Sequence, residues 1–261
     1  KHDEITKYRN YLIETSLLND HADLLEILQG SNFPKTMVGG YDNPVLIDGV
    51  EYAPIYIELL NRIKQWSAFV DFEKVETVFE IGGGFGVNAH ILLSLYPNIK
   101  KYIYLDIPPN LYIGTQYLKH HFNDFVIDYR ETYLNDKITF QEKIDTLEIL
   151  CIAPWQIEKL TDIQVDLFCN SSSFVEMPIK VIENYYKYIL NLMANKSYLC
   201  LQTYGGYDVS TLSPDELFEV FNHGFDTKTF KSEQFAAPTK PYDYYCVGKK
   251  ITGEFKKLDL N

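Results

Sequence analysis

The chain has 261 residues, 46% hydrophobic and 23% charged, with 36 acidic against 24 basic residues and a formal charge of -12. That length suits one large domain, or one domain with a helical appendage, and the composition excludes a disordered chain. The negative balance, with no lysine or arginine cluster longer than a pair, argues against a nucleic-acid surface and against anionic membranes as partners.

From Ile5 to Gln29 apolar residues recur at helical spacing, and Gly30 stops the pattern. Residues 31–53 are rich in turn formers, with Pro34, Gly39, Gly40, Asn43, Pro44, Asp48 and Gly49, before Pro54 opens a second helical pattern through Phe69. From Glu76 short apolar runs alternate with helical patterns, the mark of parallel strands joined by crossover helices. Strands are expected at 76–81, 101–106, 146–152, 165–170 and 196–203, with helices near 87–96, 109–122, 155–160 and 178–194. The polar segment 123–145 shows no period. After a helix near 213–223, two strands (Phe225 to Phe230, Tyr242 to Lys249) are joined by a loop without a crossover helix, so they must pair antiparallel. The expected fold is α/β, with a Rossmann-like sheet that is mostly parallel and has an antiparallel C-terminal strand. An N-terminal helical cap or lid region over 1–73 precedes a cofactor domain over 74–261.

Cys151, Cys169, Cys200 and Cys246 are scattered among apolar stretches without metal or redox spacing, and read as buried thiols. Together with the lack of a secretory leader or an apolar run of about 18 residues, they predict a cytoplasmic protein without membrane insertion.

Val78 to Gly86 is a buried strand running into a glycine turn that opens a helix. Glycines there permit positive φ and let a ligand reach the exposed amides of the helix start. Gly84-Phe85-Gly86-Val87-Asn88-Ala89 also satisfies the dinucleotide pattern G-x-G-x-x-A. Two features favour S-adenosyl-L-methionine. Glu80 stands two residues before Gly82, and Glu-x-Gly-x-Gly-x-Gly runs unbroken to Gly86. A carboxylate there can meet the ammonium of a methionine moiety, whereas it would repel a pyrophosphate. Asp106, at the end of the next strand, can accept both hydroxyls of a ribose in either cofactor class. The antiparallel ending is the sheet plan of class I methyltransferases and is unusual for dinucleotide domains. The reading is an S-adenosyl-L-methionine-dependent methyltransferase, with an NAD-dependent oxidoreductase and a non-catalytic donor-binding partner module as alternatives.

Four stretches resemble the sugar O-methyltransferases of bacterial surface-polysaccharide clusters, within the class I superfamily. Val38 to Pro44 is similar to a G-x-P element upstream of the cofactor domain, with Tyr41-Asp42 inserted here. Phe79 to Gly86 resembles the family's E-I-G-G-G-x-G, Tyr104 to Pro109 its D-I-P-P, and Asn170 to Met177 its N-S-x-S-x-x-E-M. The resemblance spans residues 38–177. It implies a sugar hydroxyl acceptor, in surface polysaccharide or glycoconjugate biosynthesis, and a donor site of Glu80, Gly82, Gly83, Gly84, Gly86, Asp106, Ile107, Ala153, Asn170 and Ser171.

Methyl transfer from a sulfonium is an in-line displacement, so the protein must orient an acceptor oxygen and take its proton, near the carboxyl ends of the strands. Glu176 in the loop after the fourth strand is the first candidate base, with a helix-capping or salt-bridged carboxylate as its structural reading. His223, at a helix end, is the second; a cation beside the helix carboxyl terminus is its structural reading. His90, His120 and His121 read as structural or exposed. No metal is expected, Asp208 with Glu176 around magnesium being the one arrangement left open. Tyr41, Tyr204 and Tyr207 suit the apolar faces and hydroxyl rims of a sugar. The predicted partner is thus a small-molecule or glycan acceptor, with a homo-oligomer open. Val38 to Asp48 and the N-terminal helices are expected to close as a lid over the donor site.

Overall fold

In the computed structural model, which describes residues 2–41, 43–205, 212–233 and 242–251, the first helical pattern forms two helices, α1 (His2–Asp20) and α2 (Ala22–Gln29), separated at His21. α2 buries Leu24 and Leu28, and the Gly30 amide closes its last turn on Glu26 O and Ile27 O. The turn-rich stretch holds a hairpin that periodicity does not reveal, β1 (Val45–Ile47) with β2 (Val50–Tyr52). Asp48 and Gly49 both take positive φ there, 48° and 80°, matching the twist of a two-residue hairpin turn. Strands of three residues are too short to show alternation, so the Asp-Gly pair is their only signal. α3 (Pro54–Ser67) starts on its proline and buries Tyr56, Ile57, Leu60, Ile63 and Trp66.

The elements that follow are β3 (Thr77–Ile81), α4 (Val87–Leu95), β4 (Lys101–Leu105), α5 (Asn110–Phe122), β5 (Val126–Ile127), α6 (Tyr129–Thr132) and β6 (Glu148–Ile152). After them come β7 (Val165–Ser171), α7 (Ile179–Leu192), β8 (Met193–Thr203), α8 (Pro214–Glu219), β9 (Phe225–Glu233) and β10 (Tyr242–Lys250). The helix expected near 155–160 is a 3-10 turn, Pro154–Lys159. The strands lie in the order β5-β6-β4-β3-β7-β8-β10-β9. Neighbours from β5 to β8 are parallel. β10 enters antiparallel between β8 and β9, as the missing crossover helix requires.

β3, β4 and β6 are buried at every residue, which is why they read as continuous apolar runs rather than alternating ones. Their side chains still alternate between two cores. Val78, Tyr102, Cys200 and Tyr245 face α3, α4 and α5 and pack with Ile13, Leu17 and Trp66, so residues 1–73 share one core with the sheet. Phe79, Ile103, Phe168 and Cys246 face α7 and α8, against Ile182, Tyr186, Ile189 and Phe218. Each large apolar side chain so buried stabilises the fold by about 1.5–3 kcal/mol relative to exposure.

Polar contacts organise the aperiodic segment 123–145, which explains its silence in the pattern. Asp128 caps α6 through Arg130 N at 2.9 Å, and Glu131 returns a bond to Asp128 N at 3.1 Å. Further on, Lys101 and Glu148 form a buried ion pair at 3.1 Å, and Glu148 also accepts Gln141 N and Glu142 N. All four cysteines are buried and unbridged. Among the described residues no helix is long and apolar enough to cross a membrane.

Candidate functional site

The loop after β3 is built by steric exclusion. Gly82, at φ 75°, donates its amide to Leu105 O at 2.8 Å, and a Cβ there would overlap Ser173 Oγ. Gly83 lies against the Tyr104 ring and Glu80, and Gly86 caps α4. Gly84 has φ 56°, but a Cβ on it would meet nothing within 4 Å. Its bare backbone therefore borders open space at the carboxyl rim of the sheet, the geometry that lets a ligand lie on the main chain.

Asp106 stands beside that opening. Its Oδ2 accepts Gly84 N at 2.6 Å and its Oδ1 accepts Ile107 N at 2.7 Å. Burial pushes its pKa up, and the two amide bonds oppose the rise. The Asn110 side chain also hydrogen-bonds the carboxylate, so three donors orient Asp106 and leave about one of its four acceptor sites open. Glu80 sits deeper, 1% exposed, accepting Asn88 Nδ2 and Tyr102 OH, both at 2.8 Å. Burial pushes its pKa up to about 7 against those two bonds. Asn170 is buried likewise and donates to Ile81 O at 2.7 Å and Ser173 Oγ at 2.6 Å. Glu80 and Asn170 thus brace the glycine loop from below.

Around the rim the remaining candidates separate. Glu176, exposed, accepts a hydrogen bond from the Tyr204 hydroxyl at 2.5 Å, so two residues 28 apart in the chain meet at the ends of β7 and β8. Ser171 Oγ is buried without a hydrogen-bond partner among the described residues. Ile107 is 54% exposed beside Asp106. Ala153, next to it across β4 and β6, is fully buried and gives its amide to Gln156 Oε1 at 2.8 Å; the exposed group at that strand end is Trp155, which the sequence pattern did not single out. A tryptophan three residues past an apolar run is its mark in the sequence, and the fold decides its exposure.

His223 lies away from these groups. β9 runs parallel to β8, and Phe225 at its start is level with Lys250, whose neighbour Lys249 pairs with Tyr198, itself opposite Leu167 near the start of β7. His223 precedes Phe225 and therefore stands at the amino rim of the sheet. The six-residue α8 returns the chain to that rim before β9 begins, which helical spacing alone does not show. His90 is buried against Tyr56 and Tyr117 hydroxyls, and desolvation lowers its pKa to about 3. Tyr41 is half-buried, and the loop carrying it reaches the glycine turn: a Cβ on Gly39 would overlap Phe85. Phe85 in turn lies 4.7 Å from the Tyr117 ring. Tyr207 and Asp208 fall outside the described residues.

No family model and no curated protein matches the sequence. Solved structures do match the fold. An O-methyltransferase family protein from Burkholderia thailandensis aligns with TM-score 0.51 and 11% identity over 76% of this chain and 58% of its own. A Clostridium thermocellum protein provisionally described as an rRNA-methylase aligns with TM-score 0.50 and 16% identity over 75% and 97%. Several matched structures are longer, and the chain spans only 53–54% of the pyocyanin biosynthetic protein PhzM, PigF and the mitomycin 7-O-methyltransferase MmcR. The fold is that of the class I methyltransferases.

In a class I methyltransferase fold the carboxyl rim is where the sheet offers its strand ends to ligands. Here that rim brings together the bare Gly84, the fixed Asp106, the exposed Ile107 and Trp155, and the Glu176–Tyr204 pair. The arrangement sets open main chain beside a fixed carboxylate at one part of the rim and an exposed carboxylate at another.

Proposed function

We propose that the chain is an S-adenosyl-L-methionine-dependent O-methyltransferase, and that its acceptor is a sugar hydroxyl in surface polysaccharide or glycoconjugate biosynthesis. The carrying observation is Asp106, clamped by the amides of Gly84 and Ile107 beside a glycine turn with room over it. Its oriented carboxylate suits a ribose hydroxyl, and Ile107 and Trp155 suit the adenine faces. The sugar assignment rests on the motif resemblance over 38–177, with the exposed Glu176 carboxylate at the rim compatible with it. The acceptor oxygen attacks the sulfonium methyl, the C–S bond breaks to leave S-adenosylhomocysteine, and Glu176 takes the hydroxyl proton. Gly39 against Phe85 supports a lid of Val38 to Asp48, with Tyr41 near the donor.

Calorimetry with S-adenosylhomocysteine tests the donor site. Asp106→Ala is expected to weaken binding about ten- to a hundredfold, the worth of one or two hydrogen bonds to a charged group. An intact protein that ignores S-adenosylhomocysteine but enhances NADH fluorescence would reverse the reading toward an oxidoreductase. A mass-spectrometric screen of glycans and sugar precursors for the gain of one methylene mass then identifies the acceptor.

A further inference from the structure

We propose that Tyr204 is a positioning residue that holds Glu176 as the carboxylate facing the acceptor, a role that rests on the methyltransferase reading above. The end of β8 grips the segment after β7 at two points. Gln202 accepts Ser172 N on its backbone oxygen and Ser172 Oγ on its Oε1, both at 2.8 Å. Its Nε2 donates to Asp243 Oδ1 of the antiparallel β10, also at 2.8 Å. Ser172 has φ 68°, a left-handed conformation that a serine keeps only where its surroundings hold it. Two residues along, Tyr204 donates its hydroxyl to Glu176 Oε1 at 2.5 Å.

These bonds settle what Glu176 can offer. An exposed, unrestrained glutamate samples several rotamers, and ordering one costs conformational entropy. With Oε1 engaged by Tyr204, that ordering precedes the acceptor, and Oε2 is left to receive the proton. The Tyr204 ring itself is 7% exposed, so its contribution runs through the hydroxyl rather than through a face laid on a sugar. Residues 172–176 are therefore templated by β8, and β8 is braced by the strand inserted beside it.

Tyr204→Phe keeps the ring and removes only the bond. In protein labelled with carbon-13 at glutamate carboxyls, the Glu176 resonance, identified by its loss in Glu176→Gln, should move in Tyr204→Phe. With an acceptor in hand, the same variant should lose about ten- to a hundredfold in kcat while KM and S-adenosylhomocysteine affinity stay within about twofold. The wild-type Tyr204 hydroxyl proton, slow to exchange while bonded and lost in Glu176→Gln, reads the same bond should Tyr204→Phe fail to fold. An unmoved resonance, a preserved kcat, or an effect confined to KM overturns the assignment of Tyr204. A moved resonance in a protein that methylates no acceptor overturns the enzymatic reading instead.

Discussion

A carboxylate buried with two neutral donors and no cation among its bonded partners is held more cheaply as the acid, and Glu80 is in that position under the glycine turn. Its folded pKa, about 7, lies above the ordinary 4.5. Between those values the folded protein keeps a proton that the unfolded chain has released, so the stability this group contributes is complete below about pH 4.5 and is lost as pH rises through about 7. The loss amounts to about 3 kcal/mol. Glu80→Gln cannot ionise and should flatten that decline: melting temperatures at pH 5 and pH 8 should diverge between wild type and variant, with the variant ahead at pH 8. Parallel pH profiles would mean that Glu80 is already ionised in the fold.

At the scale of elements, the segment before the hairpin and the turn after β3 depend on one another. Gly39 has φ 115° and lies so near Phe85 that no Cβ fits, and Phe85 rests on Tyr117 of α5. Gly39→Ala combines a strained backbone with an overlap, together worth about 1–3 kcal/mol. Limited proteolysis within residues 31–53 should then be faster in Gly39→Ala than in wild type. Saturating S-adenosylhomocysteine should slow it in wild type, and Tyr41→Ala should reduce turnover more than thermal stability. Cleavage that ignores the ligand, with normal turnover in Tyr41→Ala, would leave residues 1–53 as a structural cap only. The α1 helix joins the same unit through Asn10, whose Nδ2 donates to Asn43 O and Pro44 O at 2.9 and 3.1 Å.

For the molecule as a whole, the core on the α3 face runs without a break from Ile13 and Leu17 through Trp66 to Val78, Cys200 and Tyr245. A core shared in this way predicts one cooperative unfolding step. Tryptophan fluorescence, which reads buried Trp66 and exposed Trp155, should trace the same urea transition as far-ultraviolet circular dichroism. An early fluorescence change alone would mean that α1 to α3 melt separately. The antiparallel β10 matters at this scale too, because its Asp243 supports Gln202 and so the segment carrying Glu176.

What the sequence determined by itself was local or periodic. Apolar runs covered on both faces marked the parallel strands within a few residues, the missing crossover helix forced the antiparallel ending, and the glycine spacing placed the turn with Asp106 one strand later. These follow from backbone geometry, which acts over a few residues and is written in residue type. Only the tertiary structure decided which candidates meet. It joined Glu176 to Tyr204, sent His223 to the amino rim, sank Glu80, Ala153 and Asn170 below the surface, and exposed Trp155. Those outcomes depend on which strands become neighbours and where a short helix returns the chain, and they are set by long-range packing that no local pattern encodes.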